Sequence, residues 1–149
     1  MKRALIWLGW AGGIGLLLAT AVDTAGVIGR HVGLPVHGSI ELIQPAILLA
    51  GVAGLLAATW TRSHAKVHLV IDRLGERGRR RAGRFADMAA LLFFAGLLVG
   101  SAWLQIDMWD SHERSELVGV PWAAMRMLTS AGLFAITCLL AWRMVRREP

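Results

Sequence analysis

One cysteine, no tyrosine and ten acidic residues in 149 leave this chain little chemistry to work with. A lone Cys138 excludes an intrachain disulfide and gives no ground for thiol redox chemistry. Nucleophile elbows, glycine-rich phosphate loops and paired carboxylates in a plausible pocket are all missing, so no enzymatic activity is expected. The five histidines, at 31, 37, 64, 68 and 112, fall outside or at the ends of the hydrophobic runs. That placement argues against a haem-binding membrane anchor, whose ligands must face each other at cofactor depth. His64, His68 and Asp72 recur every four residues, but no further ligand set with metal spacing follows. No metal or other cofactor is therefore expected. Repeats, low-complexity tracts and long linkers are also missing, which leaves one domain over residues 1–149.

What the chain has is hydrophobicity. Apolar residues make up 56% of it and the mean hydropathy is +0.55, too apolar for an ordinary soluble domain of this size. Runs at about 4–28, 39–60, 85–106 and 122–142 each suffice for a hydrocarbon core of ~30 Å, which needs about 20 helical residues. The predicted class is an all-α integral membrane domain of four transmembrane helices.

A net charge of +6 could suggest nucleic acid, but the cations sort by topology. Two precede the first run (Lys2, Arg3), eight lie between the second and third, and three follow the fourth (Arg143, Arg146, Arg147). Thirteen of the sixteen Lys and Arg thus share one side, which the positive-inside rule makes cytoplasmic, with both termini. Orientation accounts for the charge, and no nucleic-acid partner is expected. Trp7, Trp10, Trp60 and Trp142 fall toward that side, and Trp103, Trp109 and Trp122 toward the other, as interfacial belts do. Met-Lys-Arg, the first run and Ala19-Thr20-Ala21 imitate a signal peptide. Retention of the first run as a helix gives the consistent charge map and is the expectation.

Between the second and third runs, Val67, Val70, Ile71 and Leu74 form an apolar stripe opposite Lys66, Arg73, Glu76 and Arg77. The spacing predicts a short amphipathic helix in the cytoplasmic interface. Arg79, Arg80, Arg81 and Arg84 then fall among lipid head groups, an ordinary positive-inside anchor. Small-residue pairs at Gly9/Gly13, Ala50/Gly54 and Gly96/Gly100 offer close helix contacts, within the chain or against another subunit.

The remaining ionisable residues gather at membrane boundaries. Glu41 opens the second run, where an acid is favoured by the helix dipole; it could equally pair with Arg30 across the short turn HVGLPVHG. Pro45 removes the amide that would bond the Glu41 carbonyl and invites a bend. Asp23 is read as an interfacial carboxylate paired with Arg126 or Arg30, and Arg126 as close enough to the surface to snorkel. The second outer connection is acidic, with Asp107, Asp110, Glu113 and Glu116 against Arg114.

These residues together resemble the small permease subunit of tripartite ATP-independent periplasmic (TRAP) transporters, the DctQ-like family. The resemblance rests on Arg30, Pro35, Gly38, Ser39, Glu41, Leu42, His68 and Asp72, with Val120-Pro121-Trp122 before the fourth run. It departs from the family pattern in lacking a basic residue between His68 and Asp72, and in placing Arg126 within a span. The resemblance implies a scaffold without catalysis. Its partners would be a large multi-span permease subunit, a periplasmic substrate-binding protein and membrane lipids, and its setting the bacterial inner membrane. Arg30, Pro35, Glu41, His68 and Asp72 would then form a structural or partner-interface motif, and Asp110, Glu113, Arg114 and Glu116 a docking surface for the binding protein. Sodium-coupled uptake of an organic acid or similar solute is the implied activity. The small subunit of tripartite tricarboxylate transporters has similar size and span count and is the nearest alternative.

Overall fold

The computed structural model describes residues 2–61, 75–111 and 113–146. Four helices account for most of them: α1 (Lys2–His31), α2 (Ser39–Thr61), α3 (Glu76–Asp107) and α4 (Trp122–Val145). Each is long and apolar enough to cross a membrane. In lipid the backbone must satisfy its own polar groups, which is why runs this apolar fold as uninterrupted helices. Helix α2 continues through Pro45 as one element. Helix α3 starts nine residues before the apolar run proper, at Glu76, so the arginine cluster from Arg77 to Arg84 forms its first turns. Arg79, Arg81 and Arg84 are exposed there. The expected amphipathic helix, with His64, His68 and Asp72, lies outside the described residues.

Topology sets two ends. Chain turns at 32–38 and 108–121 share one end, called here the acidic end, and the basic segments share the other. Helix α1 packs on α2, α2 on α4, and α4 on α3, with no other pairing of helices among the described residues. The spatial order is therefore a row, α1–α2–α4–α3, rather than a closed bundle. Helices α1 and α3 each keep most of their circumference open.

Two kinds of contact hold the row. At one joint, Phe94 of α3 and Leu133, Ile136 and Leu140 of α4 form a buried cluster, with Leu56 of α2 and Ala90, Leu91 and Leu98 of α3 against it. At the other, α1 meets α2 through small residues. Leu5, Leu8, Gly12, Gly15, Ala19, Val22, Gly26 and Gly29 recur at alternating three- and four-residue steps, and all are buried or half-buried. Lipid tails are as apolar as leucine, so helices gain by close backbone approach more than by hiding apolar surface. A side-chain carbon added at Gly15 would stand 2.7 Å from the Ala46 carbonyl oxygen and 3.2 Å from the Ala50 nitrogen. Gly9, Gly13, Gly54, Gly96 and Gly100, by contrast, have nothing within 4 Å of such a carbon. Gly9/Gly13 and Gly96/Gly100 thus face away from the other described helices, whereas Ala50 of the Ala50/Gly54 pair packs on Gly15 at the α1–α2 joint.

Candidate functional site

The acidic end is organised by one carboxylate. The chain from Glu113 to Trp122 closes on itself as a small loop, with an isolated antiparallel bridge between Arg114 and Pro121. Ser115 N–H donates to the Val120 carbonyl at 3.0 Å, Gly119 N–H to the Ser115 carbonyl at 3.1 Å, and Trp122 N–H to the Glu113 carbonyl at 3.3 Å. Val120 N–H donates to the Ser115 hydroxyl at 2.9 Å. Gly119 supplies the positive φ of 75° that this tight closure requires. Two amides at the loop tip, Leu117 and Val118, are left pointing out of the loop and toward α2.

Glu41, in the first turn of α2, receives both. Leu117 N–H donates to Oε2 at 3.1 Å and to Oε1 at 3.3 Å, and Val118 N–H donates to Oε2 at 2.8 Å. Ser115 adds a side-chain contact to the same carboxylate. Successive backbone N–H groups in a turn form a concave anion receptor, and here the anion is a side chain of the same chain. Gly38, at φ 75°, lies beneath the loop; a side-chain carbon there would stand 2.7 Å from Val118 Cγ2. The clasp joins the start of α2 to the connection between α3 and α4, and the close approach of Gly38 to Leu117 and Val118 packs the same two elements together.

This corrects the pairing of Glu41 with Arg30. Arg30 is exposed in the last turn of α1 and forms no ion pair with Glu41. Two adjacent amides offered at fixed positions across the surface satisfy a carboxylate without ordering a long arginine side chain. Pro35 is exposed in the α1–α2 turn.

Arg126 is likewise committed elsewhere than to Asp23. Its Nη1 lies 3.3 Å from Glu113 Oε2, with side chains 15% and 45% exposed respectively, and 3.8 Å from Met108 Sδ. Ser101 and Ser130 share a hydrogen bond of 2.8 Å between α3 and α4. One turn further toward the acidic end, Gln105 and Arg126 follow them in the same antiparallel register. Gln105 Oε1 and Arg126 Nε and Nη2 are buried and without a hydrogen-bond partner. A polar seam thus enters the apolar α3–α4 joint from this end. Of the residues expected to form the acidic docking surface, Asp110, Arg114 and Glu116 are exposed and Glu113 carries the ion pair.

At the basic end a second fastening serves α2. Arg143 of α4 donates from Nη1 to the Thr59 carbonyl and from Nη2 to the Trp60 carbonyl, the latter at 2.5 Å. The last carbonyls of a helix have no partner within it, and a planar guanidinium can satisfy two of them together. Arg146 lies over the Trp142 ring, 4.6 Å from its centroid. Arg143→Gln is expected to lower stability by about 1.5–3 kcal/mol, the range for hydrogen bonds to a charged group. Arg143→Lys should recover only part of that loss, because an ammonium cannot present a fork. Unfolding of the detergent-solubilised chain, followed by circular dichroism, measures both.

Sequence reading placed Glu41 and Arg126 but missed their partners, together with Arg143, Ser101, Ser130 and Gln105. Ser101 and Ser130, polar within apolar runs, were the available signal. His68 and Asp72 lie outside the described residues, as does the side chain of Arg80. Among the described residues no three of His, Cys, Asp and Glu converge as metal ligands would.

A family model described as tripartite ATP-independent periplasmic transporters, DctQ component, matches residues 19–148. Comparison with curated proteins and with solved structures finds no match. Four membrane-length helices fit that component. The chain belongs to the DctQ family and is a multi-pass membrane protein, the small permease component of a TRAP transporter.

Proposed function

We propose that this chain is a fixed scaffold for the large permease subunit during sodium-coupled uptake of an organic acid or similar solute, which a periplasmic binding protein delivers. The observation that carries the reading is the fastening of α2 at both ends: Glu41 holds the outer loop to its start and Arg143 grips its last carbonyls. A subunit that moves solute needs polar groups along a path through the membrane. Here the charged residues gather toward helix ends and tie elements together. In this reading the acidic end faces the periplasm and both termini face the cytoplasm, in the inner membrane, as the cation distribution favours. Arg79, Arg80, Arg81 and Arg84 rest among lipid head groups, and Asp110, Arg114 and Glu116 form the outer rim that meets the binding protein. Arg30, Pro35, Glu41, His68 and Asp72 act structurally, with no catalytic role.

Reconstitution tests this. Proteoliposomes holding the large subunit and this chain, supplied with binding protein and a sodium gradient, should accumulate solute. Those holding this chain alone should not. Uptake by the chain alone, or failure of the two membrane subunits to co-purify, would overturn the assignment.

A further inference from the structure

Helices α3 and α4 are tied near the acidic end by polar groups that do not all meet one another. Ser101 Oγ and Ser130 Oγ lie 2.8 Å apart. The two helices run antiparallel, so one turn forward on α3 and one turn back on α4 bring Gln105 opposite Arg126. Arg126 Nη1 also reaches Met108 Sδ, at 3.8 Å, which fixes the register from the other side. All five residues are half-buried.

Three atoms in this stack are sealed from solvent and have no hydrogen-bond partner: Gln105 Oε1, Arg126 Nε and Arg126 Nη2. Nη1 alone carries the ion pair with Glu113 and the contact with Met108. The Nε–H and one N–H of Nη2 leave the same edge of the guanidinium as parallel donors, a fork that keeps its charge throughout the physiological pH range. A buried donor with no acceptor costs free energy, and more when it is charged. Bulk water cannot relieve atoms that it does not touch. The joint therefore encloses a cationic donor fork on one helix and, on the facing helix, an oxygen that only accepts.

The chemistry of the missing partner follows from that set. It must be small, accept from the fork and donate to a carbonyl oxygen. Chloride or a carboxylate accepts but has nothing to donate, and would lie against the negative end of the Gln105 amide. A metal ion suits the oxygen and is repelled by the guanidinium. Water accepts and donates, and a buried water typically makes about three hydrogen bonds, two from the fork and one to the amide in this case. We propose that one resident water molecule bridges Arg126 Nε and Nη2 on α4 to Gln105 Oε1 on α3. It completes the tie that Ser101 and Ser130 begin, and it lets Arg126 stay charged within the joint while Nη1 holds Glu113. The site lies inside this chain, so it stands whether or not the chain serves as a scaffold.

Nuclear magnetic resonance of the solubilised chain, with isotopically labelled arginine, tests it. Arg126→Lys identifies the Nε–H signal of Arg126. That signal should exchange slowly with bulk solvent, as a sealed group does, and still show an Overhauser contact with water. Gln105→Leu, which removes the acceptor and fills its place, should abolish the water contact. Gln105→Glu offers two oxygens to the fork directly, and should abolish the contact while raising the thermal unfolding midpoint. Rapid exchange, a slowly exchanging Nε–H without water contact, or a contact that survives Gln105→Leu would each overturn the proposal. A crystal structure of the unaltered chain grown in bromide gives an independent reading. An oxygen peak within about 3.2 Å of both Gln105 Oε1 and the Arg126 fork is expected. Anomalous density there, or a direct Gln105–Arg126 hydrogen bond with nothing between, would overturn it.

Discussion

Glu41→Ala should free the outer loop. Without the carboxylate, the amides of Leu117 and Val118 lose the acceptors that hold them at 2.8–3.3 Å. Their hydrogen exchange is expected to rise on the order of tenfold or more, as for a segment that opens locally rather than with the whole fold. The loop's own closure, from Ser115 to Val120 and from Glu113 to Trp122, does not involve Glu41. Exchange at Ser115 and Trp122 should therefore change little, which separates release of the loop from its unfolding. Glu41→Gln keeps one carbonyl oxygen and should fall between the two. In the assembled transporter, solute uptake with Glu41→Ala is expected to drop to roughly a tenth, because a docking surface loses affinity tenfold for about 1.4 kcal/mol of misplacement. Full uptake, with exchange accelerated as described, would show that the loop need not be held for the binding protein to dock.

Gly15→Val should break the α1–α2 joint. The first added carbon already meets two backbone atoms of α2, at 2.7 and 3.2 Å. Neither can rotate aside, so the helices must separate along their length. Overpacking of this kind costs roughly 1–3 kcal/mol for the first carbon, and the branched valine should cost more. Gly13→Ala is the matched control. Nothing lies within 4 Å of its added carbon, and alanine is favoured over glycine in a helix interior by roughly 0.5–1 kcal/mol. The isolated chain should thus be destabilised at position 15 and slightly stabilised at 13, as read by thermal unfolding in detergent. Destabilisation at 13 with none at 15 would place α1 the other way round, and equal effects at both would contradict the joint described.

That pair of glycines shows where sequence reading stops. Number and approximate limits of the membrane helices follow from hydrophobic length alone, and α2 and α4 start at Ser39 and Trp122 as expected. Which side of α1 packs does not follow. Gly9/Gly13 and Gly12/Gly15 are both plausible small-residue faces, and helical spacing says that each is a face without saying what lies opposite. The start of α3 at Glu76 was missed for a related reason: arginines interrupt the hydropathy signal without interrupting the helix, since they are good helix formers. Glu41 was recognisable as special from its place at a helix start. Its partners, 76 and 77 residues away, are backbone amides and leave no mark of residue type. Arg143 is hidden likewise, because it binds carbonyls that every helix end presents.

The central claim is that this chain keeps its shape while the large subunit works. Spin labels at the exposed positions Val32, in the α1–α2 turn, and Val145, at the basic end of α4, report on it. Distances between them, measured by pulsed electron paramagnetic resonance in the reconstituted complex, should show one unchanged distribution with and without binding protein, solute and sodium gradient. A second population displaced by about 5 Å or more, the size of a one-turn ratchet, would contradict the account and make this chain a moving part.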